Sequence, residues 1–67
     1  MAVTRVTEVI GSSPNGWDEA LYEAVSRASK TLRNIEYLEV VRQDARVVEG
    51  EITEFRVTCH IHFVLES

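Results

Sequence analysis

Between Thr53 and Leu65 the chain alternates: Phe55, Val57, Cys59, Ile61, Phe63 and Leu65 are apolar or small, and Glu54, Arg56, Thr58, His60 and His62 stand between them. A period of two predicts a strand with one face for a core and a second face for something else. Upstream, "IEYLEVVRQDARVV" predicts a second strand. Glu49-Gly50 between the two reads as a tight turn, the glycine supplying the positive φ that hairpin turns demand. The opening segment, "AVTRVTEVIG", is rich in Val, Ile and Thr and predicts a further strand ending at Gly11.

The period changes between these strands. Trp17, Ala20, Leu21, Ala24, Val25, Ala28 and Leu32 form one stripe of a helix running from Trp17 to about Arg33, with Glu23, Arg27, Lys30 and Arg33 toward water. Ser12 or Ser13 is placed to cap free N–H groups, and Pro14 suits a first helical turn. Asp18 and Glu19 complement the positive end of the helix dipole, Lys30 and Arg33 the negative end, and Asn34 reads as the exit residue. The expected architecture is α+β, in the order β-α-β-β: a three-stranded antiparallel sheet with one helix packed across one face, residues 1–67 forming a single domain.

If Glu49 and Gly50 are the two loop residues, pairing runs outward with constant index sum. Tyr37 then faces His62, Glu39 faces His60, Val41 faces Thr58 and Gln43 faces Arg56. Leu38 and Val40 join Val57, Cys59, Ile61 and Phe63 on the helix side. One helix cannot cover both sides of a sheet, so the face with Tyr37, Glu39, Val41, Gln43, Arg56, Thr58, His60 and His62 meets water, a ligand or another subunit.

Size and composition sharpen that choice. The chain has 67 residues, 45% of them hydrophobic, and a single cysteine. A domain this small buries only about 60% of its unfolded surface and often needs a staple or a partner. One cysteine forbids an internal disulfide, and no Cys/His spacing marks a structural zinc site. Association of identical chains is the first candidate for the missing burial. A formal charge of −4 argues against nucleic acid as a partner. No apolar run approaches the ~18 residues of a membrane span, and no signal-peptide pattern is visible, so a cytoplasmic protein is expected.

The candidate chemistry sits on the second face. His60 and His62 point the same way and with Glu39 could begin a metal site, or they are hydrogen-bonded interface residues. Tyr37 could stack on a planar ligand or serve as an ordinary strand aromatic. Arg56 offers a planar donor fork to a carboxylate or phosphate, or it makes a cross-strand ion pair with a carboxylate like that of Glu54, or a subunit contact. Cys59 falls on the core side as a small buried hydrophobe, and Trp17 belongs to core or interface. Nothing places Ser, His and Asp as a triad, and no glycine-rich phosphate loop exists, so no enzymatic activity is expected.

The chain resembles the dodecins over nearly its whole length. The likeness lies in "EVIGSSPNGWDEALYEAVSRASKTLRNI", in "EVVRQDARVVEGEITEFRV", and in a hairpin finishing Phe-Val-Leu-Glu. The resemblance implies subunits assembled twelvefold into a hollow shell of cubic-type symmetry. It also implies storage of riboflavin or its phosphate, FMN, between subunits, by binding rather than turnover. The family's flavin-stacking tryptophan falls at Tyr37 and its hydrogen-bonding glutamine at Arg56. Tyrosine stacks with less area; arginine donates to flavin carbonyls but cannot accept from the ring N–H. The family's phosphate-binding arginines fall at Asp44 and Val64, where an acidic residue repels phosphate. A second branch, the calcium dodecins, is similar in "SSPNGW", in Gln43-Asp44 and in Arg56, and implies a shell that binds calcium instead of flavin. No calcium ligand can be assigned residue by residue.

Overall fold

A 12-residue helix lies on a hairpin whose strands have 14 and 15 residues. At about 1.5 Å per helical residue and about 3.3 Å per strand residue, the helix spans less than half the hairpin's length. The computed structural model describes residues 2–65. Met1, Ser67 and Glu66, the last residue of the Phe-Val-Leu-Glu run, lie outside the described residues. The elements are β1 (Val3–Ser13), α1 (Trp17–Ala28), β2 (Ile35–Val48) and β3 (Glu51–Leu65). They form one antiparallel three-stranded sheet in the order β1-β3-β2, with α1 on one face, as the hydrophobic pattern predicts. The alternating segment is thus the central strand.

The core is narrow because the helix presents its smallest residues to the sheet. Ala20, Ala24 and Ala28 are buried against Val57, Cys59 and Ile61, with Val9, Trp17, Leu21, Leu32, Ile35 and Leu38 packed around them. Close approach depends on Gly11 in β1. A Cβ there would overlap the Ala20 carbonyl oxygen and come within 2.9 Å of the Ala24 Cβ.

Both ends of the helix differ from expectation. The helix starts at Trp17, with Gly16 as an uncapped N-cap residue and Pro14 outside it. Ser13 instead belongs to β1, which runs two residues past Gly11. Its hydroxyl accepts from the Asn15 N–H at 3.0 Å and donates to the Glu19 carboxylate, so it organises the loop rather than capping the helix. At the other end α1 stops at Ala28, before Lys30 and Arg33. The Ser29 hydroxyl donates back to the Val25 carbonyl, and the Lys30 and Thr31 N–H groups bond three residues back to Arg27 and Ala28. These tighter three-residue bonds end the α-helix at Ala28. Asn34 does take a left-handed φ of 60°, but at the entry to β2, six residues after the helix.

The hairpin turn is the expected one. Glu49 and Gly50 have φ of 50° and 81°, and Val48 pairs with Glu51. Beyond the turn the constant index sum fails in the middle of the hairpin. Bulges at Thr53 in β3 and at Val41 in β2 shift the register by one residue and then restore it, and a further bulge lies at Glu36. Between the first two, Asp44 faces Arg56, Gln43 faces Val57 and Arg42 faces Thr58. Gln43 therefore lies on the helix face, and Val41 has no partner across the ladder. Tyr37 opposite His62 and Glu39 opposite His60 stand as expected.

Candidate functional site

The face of the sheet away from α1 carries Val6, Glu8, Ile10 and Ser12 of β1, Tyr37, Glu39, Arg42, Asp44 and Arg46 of β2, and Glu54, Arg56, Thr58, His60 and His62 of β3. No element of the described residues covers it. Val6, Ile10 and Tyr37 are exposed there at 48%, 54% and 56%, an apolar content unusual for a surface that meets only water.

At one end Tyr37 stacks on His62, ring centroids 4.2 Å apart and planes 15° from parallel. His62 is half-buried, and its Nε2 lies 3.1 Å from the Glu39 carboxylate, which fixes the imidazole behind the phenol ring. Glu39 also lies 3.8 Å from His60 Nδ1, and His60 Nε2 lies 3.0 Å from Glu8 on β1. A polar ladder thus crosses all three strands. It satisfies the imidazoles through carboxylates, and among the described residues no three His, Cys, Asp or Glu side chains converge as a metal site would need.

At the other end Arg56 meets Asp44 side-on. Nε donates to Oδ1 at 3.0 Å and Nη2 to Oδ2 at 3.4 Å, the bidentate geometry of a guanidinium–carboxylate pair. The hydrogen bonds from Arg56 hold the Asp44 carboxyl below the usual carboxylate range, with the charges of Arg56 and Arg42 acting the same way. The Arg56 guanidinium is correspondingly raised. Arg42 lies 3.7 Å from Asp44, and Arg46 lies 3.6 Å from Glu54. Trp17 secures this stretch from the opposite face: its indole N–H donates to the Asp44 carbonyl at 3.0 Å, and its ring packs edge-on to Phe55 with centroids 4.9 Å apart.

Of the residues singled out in the sequence, Tyr37, Glu39, Arg56, His60 and His62 share the open face, and Gln43 does not. Asp44, Glu8 and Arg42 were not recognised as members of it. Glu8 follows from the β1–β3 register, which the hairpin alone cannot supply; Asp44 and Arg42 reach it only through the bulges. Tyr37 and Arg56 are far apart within one chain: Arg56 lies six positions along β3 from His62, the residue opposite Tyr37, roughly 20 Å. One planar ligand cannot touch both in a single copy. Cys59 is buried, donates toward the Val9 carbonyl at 3.5 Å, and has its thiol pushed up by burial, which keeps it protonated and unreactive. No helix among the described residues is long and apolar enough to cross a membrane.

Comparison with known proteins places this geometry. The dodecin family model matches residues 3–66. The chain is 33% identical over 65 residues to a dodecin of Thermus thermophilus, covering 97% of this chain and 94% of that protein. It is 33% identical over 63 residues to the calcium dodecin of Mycobacterium tuberculosis, covering 94% and 89%. The fold superposes on a dodecin structure from Streptomyces coelicolor with a TM-score of 0.93 at 39% identity, over 98% of this chain and 94% of that one. On the structure of the calcium-chelating calcium dodecin of Mycobacterium tuberculosis it scores 0.83 at 34% identity, over 96% and 91%. With the family model spanning nearly the whole β-α-β-β unit, the chain belongs to the dodecin family.

Proposed function

We propose that this chain is a non-catalytic binding and storage protein that holds a flavin, riboflavin or FMN, between subunits of a hollow homododecamer in the cytoplasm. The observation that carries the reading is the Tyr37–His62 stack, an exposed and buttressed aromatic platform on the sheet face that α1 leaves open. An isoalloxazine ring lies on Tyr37 of one copy, and Arg56 of another copy hydrogen-bonds its edge, because the two residues lie roughly 20 Å apart within one chain. The remaining polar residues of the face, Glu39, His60 and His62, are already paired within the chain and support the platform.

A second reading takes its support from the calcium dodecin relative: a shell that binds calcium and leaves the flavin pocket unused. Calcium takes about six to eight oxygens. With no convergent acidic cluster among the described residues, such a site would draw carboxylates from several copies.

Titration of riboflavin with the purified protein separates the two. The flavin reading predicts quenched riboflavin fluorescence, weakened at least about tenfold in Tyr37→Ala. Undiminished fluorescence together with calcium-dependent thermal stabilisation supports the shell.

A further inference from the structure

The groove between β2 and β3 lined by Asp44, Ala45, Arg46, Glu54 and Arg56 is the most heavily charged part of the open face, yet it is balanced. Each arginine there has a carboxylate within 4 Å: Arg56 has Asp44 at 3.0 Å, and Arg46 has Glu54 at 3.6 Å. Among the described residues the face carries four carboxylates, of Glu8, Glu39, Asp44 and Glu54, against three guanidiniums, of Arg42, Arg46 and Arg56. An anion laid on this face meets no unpaired cation among the described residues, and more negative than positive charge.

The same arrangement suits an uncharged ligand with adjacent donors and acceptors. In the side-on pair, Nη2 of Arg56 and Oδ2 of Asp44 stand 3.4 Å apart. Nη2 keeps a second N–H, and a carboxylate oxygen that accepts one hydrogen bond retains capacity for another. The couple therefore presents a donor and an acceptor side by side. Arg56 alone can only donate. The edge of a cyclic imide, C=O beside N–H, has the complementary order, and the flavin ring ends in such an edge.

We propose that Asp44 and Arg56 act together as an acceptor–donor couple for the imide edge of an uncharged planar ligand. The chain accordingly takes phosphate-free flavin in preference to the phosphate ester. The proposal rests on the flavin reading above and assigns Asp44 a binding role of its own: it accepts from the ring N–H while Arg56 donates to the neighbouring carbonyl. Trp17 holds the strand that carries Asp44 through the Asp44 carbonyl, so the carboxylate projects from an anchored backbone.

Fluorescence titration of the wild-type protein with riboflavin, 3-methylriboflavin and FMN tests this without any substitution. A hydrogen bond to a charged group, or the repulsion of a dianion, corresponds to about a tenfold change in affinity. Riboflavin is expected to bind about tenfold more tightly than either analogue. In Asp44→Ala, with assembly checked by mass, the penalty for N3-methylation shrinks. Equal binding of all three flavins overturns the couple while leaving flavin storage standing. Failure of every flavin to bind overturns both.

Discussion

Tyr37 and His62 make one platform from two modest rings. A stacked aromatic pair is worth roughly 0.5–1.5 kcal/mol beyond its buried area, enough to hold the phenol in one orientation before a ligand arrives. His62→Ala leaves Tyr37 in place but unsupported, and riboflavin affinity should fall about threefold, less than for Tyr37→Ala, in the same fluorescence titration. Asp44 makes a pH prediction. Its folded pKa lies below the unfolded value because of the hydrogen bonds from Arg56. The unfolded chain therefore binds the extra proton as pH falls, and the pair's stabilisation is complete above the usual carboxylate range and lost below it. The difference in melting temperature between wild type and Asp44→Asn should stay constant from about pH 6 to 9 and close as the solution is acidified below about pH 4. Melting curves across that range check it.

At the scale of the elements, the two bulges explain what could and could not be read in advance. Alternation in each strand is visible in the sequence, and so are the turn at Glu49-Gly50 and the pairing of Tyr37 with His62. A bulge changes the count between strands while leaving only a small mark on either one. The bulge at Thr53 moves Gln43 to the helix face and brings Asp44 opposite Arg56, and the bulge at Val41 cancels the shift before Glu39. Hence Arg56 was legible as a residue of the open face and its partner was not. The helix was overextended for a similar reason: Leu32 continues the apolar stripe, but the Lys30 and Thr31 N–H groups bond three residues back and the α-helix ends at Ala28. Gly11 carries a prediction here. Its missing side chain lets α1 settle onto β1, so Gly11→Ala should cost about 1–3 kcal/mol through overpacking, read as a lower denaturation midpoint with an unchanged slope.

For the molecule as a whole, the short helix leaves two apolar areas uncovered. Val47, Val48 and Ile52 are 61%, 48% and 51% exposed at the hairpin tip, and Val6, Ile10 and Tyr37 lie on the open face. A chain with six buried core residues among those described, and this much exposed apolar surface, gains most from burial against copies of itself. The proposed flavin site then belongs to the assembly, with Tyr37 and the Asp44–Arg56 couple supplied by different chains. Mixing two inactive variants tests that claim most directly. Tyr37→Ala and Arg56→Ala should each lose most riboflavin quenching alone, and refolding them together should restore part of it, because some sites then pair an intact Tyr37 with an intact Arg56. A co-refolded mixture as inactive as its parents would contradict the account.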